Sequence, residues 1–190
     1  MKKGLIAGLI LMASGSAWAD WQLDNDYSRV SFASVKKNKI GEAHHFTQVK
    51  GSLSDSGKLT IEIPLASVET GIPIRNERMQ KMLFETKMFP QADITAKVDA
   101  KLLKLHNGES KIVTVQADVG LHGVNQLVNV EVMVTRVSAK KLLVASLKPI
   151  IINPADYGLK KGVLKLMAAA KLPGITQSVP VSFVLTFNDK

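Results

Sequence analysis

The chain has 190 residues, 46% of them apolar, 5% aromatic and none cysteine, with 25 Lys+Arg against 16 Asp+Glu. That apolar share excludes a disordered chain, and the lack of cysteine excludes a disulfide scaffold, a thiolate metal site and a cysteine nucleophile. The scarcity of aromatic rings argues against a stacking surface for single-stranded nucleic acid, and the length fits one domain with a sizeable core.

Residues 1–19 read as a secretory signal outside the fold. Lys2 and Lys3 form a positive n-region, residues 4–13 an apolar run, and Ala17-Trp18-Ala19 an A-x-A cleavage site. The run is about ten residues, half of the roughly 20 that a membrane span needs. Cleavage before Asp20 removes two of the 25 basic residues and no acid. The expected product is a soluble periplasmic, or secreted, domain of residues 20–190 that keeps a positive balance. Export demotes nucleic acid as a partner. The lysines come in scattered pairs such as Lys36-Lys37, Lys140-Lys141 and Lys160-Lys161, which suits a solvated surface or a transient contact with anionic lipid head groups.

Most of the exported part alternates with period two, and eight strands are predicted, near 21–37, 40–54, 57–66, 92–106, 110–122, 126–138, 141–152 and 177–188. Leu59, Ile61, Ile63 and Leu65 fall on one face of the third. Ala92, Ile94, Ala96, Val98 and Ala100 do so in the fourth, Val113, Val115, Ala117, Val119 and Leu121 in the fifth, and Val179, Val181, Phe183, Leu185 and Phe187 in the last. Asp55-Ser56-Gly57 and Asn107-Gly108 mark hairpins, the second with the pair that a type I′ turn favours. Gly123-Val124-Asn125 and Ala139-Lys140-Lys141 mark two more reversals.

Two stretches break the alternation. Residues 73–86 space Met79, Met82, Leu83 and Phe84 like a helix face, with Glu77 and Lys81 at i,i+4. Residues 153–171 open on Asn153-Pro154, an N-cap followed by proline, and end before Pro173-Gly174. Two short helices cannot cover eight strands, so the sheet must bury its inner face on itself. Consecutive hairpins favour an up-and-down barrel over a Greek-key sandwich. An eight-stranded barrel either fills its interior with side chains or holds one small ligand, and periodicity leaves both open.

Ser67-Val68-Glu69-Thr70, followed by Arg75-Asn76-Glu77-Arg78-Met79, Phe84 and Phe89-Pro90, resembles the central signature of the YceI-like family. Asp24, Ser28, Val30, Phe32 and Val49-Lys50-Gly51 support it upstream, and Leu121-His122-Gly123-Val124 supports it downstream. Asn76 and Met79 stand where the signature usually has Asp and Leu, Tyr27 where His is common, and Lys36-Lys37 where the family often has Lys-His. The resemblance implies an all-β, lipocalin-like antiparallel barrel with one or two short helices. It implies a periplasmic protein that binds a long isoprenoid or similar amphiphile, with no catalytic residues, no metal and no cofactor.

On that basis the ligand-binding residues are expected to be Phe32, Ile61, Ile63, Arg75, Met79, Met82, Leu83, Phe84, Phe89, Ile94, Val115 and Phe183. The expected partner is an isoprenoid-like lipid or quinone. Glu69 and Glu77 flank Arg75, and an ion pair bracing that loop is the more economical reading; alternatively, Arg75 or Arg78 would hold an anionic or quinone head. The Met-rich stretch would plug one barrel end or floor the pocket. The rival is a filled barrel acting through its basic surface on a membrane or protein partner. An enzymatic reading fares poorly, since no G-x-S-x-G is present, and His44 and His45, as strand neighbours on opposite faces, cannot chelate one metal together.

Overall fold

The computed structural model describes residues 21–37 and 39–190; the proposed signal at 1–19 lies outside them. Twelve strands and two helices follow in order: β1 (Trp21–Leu23), β2 (Arg29–Lys36), β3 (Ile40–Phe46), β4 (Lys50–Leu53), β5 (Lys58–Pro64), β6 (Val68–Glu69), α1 (Pro73–Arg78), β7 (Gln91–Lys97), β8 (Ser110–Leu121), β9 (Val124–Ser138), β10 (Lys141–Ser146), β11 (Ile150–Ile152), α2 (Lys160–Ala169) and β12 (Val179–Asp189). All pairings are antiparallel, and β12 pairs with β10 on one side and with β1 and β2 on the other. The sheet is therefore closed, and its eight walls run up and down as the hairpins predict.

Twelve strands make eight walls because three predicted strands are bent and because β6, paired with β3, carries on the wall of β5 past a 3-10 turn, Leu65–Ser67. The first breaks between β1 and β2 at a 3-10 turn, Asn25–Tyr27, where the Asp24 side chain accepts the Asp26 amide. The second breaks between β3 and β4. Asn25 joins the two bends, accepting from the Val49 amide at 2.7 Å and donating to the Thr47 carbonyl. The seventh splits into β10 and β11, both of which pair with β12.

The predicted strand 92–106 stops at Lys97. Asp99 caps a 3-10 turn, Ala100–Lys104, by accepting from the Lys101 amide, and the turn folds under the barrel with Leu102 buried. With Leu53 and Trp21 it closes that end, and Arg136 lies 4.7 Å over the Trp21 ring while donating to the Leu103 carbonyl. Gly57 makes the fit possible. Its φ is +84°, and a Cβ there would lie 2.1 Å from the Val98 carbonyl oxygen.

The opposite end carries both helical elements. α1 starts with Pro73 at its first position and runs into a π-helical turn, Met79–Leu83. Residues 153–171 do not form one helix. Asn153 caps a 3-10 turn, Pro154–Tyr157, which left-handed Gly158 ends before α2 begins. α2 packs on the π turn at Gly162, where a Cβ would sit 2.8 Å from both the Leu83 Cα and the Met82 carbonyl oxygen.

Candidate ligand cavity

Inside the barrel is a cavity of about 570 Å³, within the roughly 300–1,000 Å³ typical of small-molecule sites. Its wall follows the inward alternation: Leu59, Ile61 and Ile63 from β5, Ile94 from β7, Val115 and Val119 from β8, Val128, Val130, Val132 and Val134 from β9, and Val181, Phe183 and Leu185 from β12. Small residues make it wide. Ala92 and Ala96 on β7 and Ala117 on β8 all line it, and Ala96 stands opposite Ala117 in register. Two aligned alanines leave space that two leucines would fill.

One part of the wall changes character along its length. The inward face of β2 reads Val30, Phe32, Ser34, Lys36, and that of β3 reads Phe46, His44, Glu42. In register these pair as Val30 with Phe46, Phe32 with His44 and Ser34 with Glu42. Apolar deep in the barrel thus becomes polar towards the helices. Ser34 Oγ and His44 Nε2 share a hydrogen bond of 3.2 Å. Glu42 Oε1 receives both Lys36 Nζ at 2.9 Å and Arg75 Nη1 at 2.8 Å.

Arg75 reaches Glu42 because its loop is fixed by its own side chains. Asn76 Oδ1 accepts from the Thr70 amide and hydroxyl, Asn76 Nδ2 donates to Glu69, and Arg75 Nη2 donates to the Thr70 carbonyl. The expected bracing is present, but its partner for Arg75 is Glu42. Glu69 holds Asn76 and the Gly71 amide, and Glu77 pairs with Lys81.

The electrostatics of this cluster are lopsided, since two cations share one carboxylate. Burial would raise the Glu42 carboxyl, but hydrogen bonds from Arg75 and Lys36 outweigh it and hold the group below its ordinary range. Burial, then the field of Arg75, pushes His44 below its ordinary value of 6.5, so the ring is neutral near pH 7. His44 Nδ1 and Arg75 Nε are both buried with no hydrogen-bond partner among the described residues.

Ten of the twelve expected residues meet on this cavity: Phe32, Ile61, Ile63, Arg75, Met79, Leu83, Phe84, Ile94, Val115 and Phe183; Arg78 lines it as well. Met82 and Phe89 do not. Met82 belongs to the turn that α2 packs on, and Phe89 packs against His122 with ring centroids 4.2 Å apart and planes tilted by 45°, beneath Gly123. Ser34, Glu42 and His44 were missed, although the inward alternation of β2 and β3 carried the signal.

Ile72 and Ile74 line the cavity yet are 42% and 51% exposed. The opening therefore lies beside the start of α1. Across from it are Leu166 of α2, Ala170 just past the helix end, and Leu172 and Ile175 of the following loop, which also line the cavity. That loop is tied to β2, where the Lys37 amide donates to the Gly174 carbonyl and the Val35 amide to Thr176 Oγ1. Among the described residues no cluster of His, Asp and Glu could hold a metal ion.

No curated protein matches the sequence significantly. Among solved structures, a polyisoprenoid binding domain from Saccharophagus degradans implicated in plant cell wall breakdown is 38% identical; the match covers 90% of this chain and 99% of that one, with a TM-score of 0.88. Burkholderia cenocepacia BcnA shares the fold at 18% identity and a TM-score of 0.65, over 86% of this chain and 98% of that one. A Campylobacter jejuni YCEI protein does so at 15% and 0.56, over 77% of this chain and 84% of that one. The model of the YceI-like domain matches residues 21–187. With the closed barrel, the signature loop and a 38% identical relative in agreement, the chain belongs to the YceI-like family.

Proposed function

We propose that this protein is a periplasmic carrier or store for an isoprenoid-like lipid, held without covalent chemistry in the barrel. The observation that carries this reading is an apolar cavity of about 570 Å³ whose polar groups gather at its open end. An amphiphile would lie with its tail among the valines and isoleucines and its head beside Arg75, Lys36 and His44. Burying aliphatic carbon is worth roughly 0.8 kcal/mol per CH₂, so ten such groups supply about 8 kcal/mol gross before ordering costs. Tail burial alone thus accounts for tight binding, and selection should be chiefly for length and girth. The head contacts suit an anionic group or a quinone carbonyl, since Arg75 and Lys36 only donate hydrogen bonds. The polyisoprenoid-binding relative supports the ligand class, and the leader-like residues 1–19 support export.

The test is organic extraction, with native mass spectrometry, of protein purified from its own periplasm. A stoichiometric apolar molecule is expected. Well-folded protein that is repeatedly empty and takes up no polyprenyl compound would overturn the proposal.

A further inference from the structure

The positive charge of this protein is not spread evenly. Segments 36–42, 69–87 and 156–171 hold eleven Lys and Arg against five Asp and Glu, whereas the rest of residues 21–190 holds twelve against ten. The fold gathers those three segments at one end of the barrel. There the β2–β3 hairpin, α1 with its π turn, and α2 surround the opening. Three of the five acids are already engaged by cations of the same end, through Glu42 with Lys36 and Arg75, Glu77 with Lys81, and Glu85 with Lys165.

Apolar side chains stand exposed within this basic collar. Ile72 and Ile74 flank the opening, and Leu164 is 51% exposed on α2. The inner face of α2 is Val163 and Leu166, which line the cavity together with Ala170 just past the helix end. Its opposite face presents Lys161, Leu164, Lys165 and Ala168, all exposed. Lysines around a few protruding aliphatic groups suit the boundary of an anionic bilayer, where each cation near the surface contributes and the apolar tips enter the head-group layer. An acidic protein or nucleic acid would use the charge but leave those tips in water.

We infer that the open end of the barrel docks on an anionic lipid bilayer, with Lys160, Lys161 and Lys171 against phosphates and Ile72, Ile74 and Leu164 in the head-group layer. The docking itself requires no ligand. If the lipid-carrier reading holds as well, the opening meets the membrane directly, and a tail passes between bilayer and barrel without crossing water.

The experiment is co-sedimentation of the exported chain, residues 20–190, with phosphatidylglycerol–phosphatidylethanolamine vesicles and with phosphatidylcholine vesicles. Three proteins are compared: wild type, Lys160→Gln/Lys161→Gln/Lys171→Gln, and a control with the same charge loss at the closed end, Lys101→Gln/Lys104→Gln/Lys111→Gln. Thermal melts confirm that each is folded. The wild type should bind the anionic vesicles, weaken with salt and ignore phosphatidylcholine. The open-end variant should bind roughly a hundredfold more weakly, at about fivefold per neutralised lysine, and the closed-end control should stay close to wild type. Equal losses in both variants, equal binding to both vesicle types, or retention on immobilised polyglutamate without vesicle binding would each overturn the inference. Binding to anionic vesicles by a wild type stripped of lumenal lipid supports docking whatever the cavity holds.

Discussion

At the closed end of the barrel, Leu102 and Trp21 are 5% and 4% exposed, backed by an arginine on an aromatic face and a turn that fits only around glycine. At the open end, Ile72 and Ile74 are 42% and 51% exposed, α1 gives way to a π-helical turn, and three charged side chains share one knot of hydrogen bonds. The first end is held by apolar packing, which is dense and intolerant of change. The second adds, to the packing of α2 on the π turn, polar contacts between short segments, which can exchange partners at little net cost. The floor is built from dense apolar packing and the rim adds exchangeable polar contacts, so substitutions at the two ends should fail in different ways.

The largest stability effect is expected at the floor. Leu102→Ala leaves a cavity beneath the barrel and should cost about 2–5 kcal/mol, seen as a lower urea midpoint. Next comes Gly162→Ala. Helix propensity alone would make it stabilising by about 1 kcal/mol, but the new methyl meets backbone of the π turn at 2.8 Å and must push α2 away. A net loss of about 1–3 kcal/mol is expected, with faster hydrogen exchange in residues 79–84 than at the floor. A stabilised Gly162→Ala would mean that the helices do not clasp each other as described.

Acid should act on the rim with a definite sign. His44 has a depressed folded value, so below its ordinary 6.5 the unfolded chain binds the proton more readily, and stability falls as pH drops through that range. Glu42 acts in the same direction at lower pH. Its contribution is complete above its ordinary 4.5 and is lost as pH falls through the lower folded value. His44→Gln should flatten the upper part of this dependence in urea titrations between about pH 7 and about pH 5, leaving the Glu42 limb in place. An unchanged slope would show that His44 does not titrate differently on folding.

Much of the wall was legible from the sequence because one buried face per strand forces a strict period of two. Ile61 to Ile63, Ile94 to Ala96 and Val181 to Phe187 could be placed on the inside from spacing alone. The breaks were harder, since Asp99 capping a turn and Asn25 joining two bends are local polar contacts within otherwise strand-like segments. The rim was misjudged for a related reason. An apolar residue marks a cavity wall, whereas Ser34, Glu42 and His44 mark it only once their neighbours in register are known. Glu42 is 33 residues from Arg75, so proximity in sequence pointed to Glu69 and Glu77 instead. Met82 and Phe89 show the converse. Helical spacing put Met82 on an apolar face and the signature pointed to Phe89, but neither says what each side chain packs against; the turn of Met82 lies against α2, and Phe89 packs on His122.

The central claim is that the space between the walls receives an apolar chain. Titration of lipid-free protein with a polyprenol, comparing wild type with Ala96→Leu/Val115→Phe, tests it most directly. The account predicts one molecule bound per wild-type protein and at least tenfold weaker uptake by the filled barrel, with both proteins equally folded. Equal uptake by the two, or none by wild type, would contradict it.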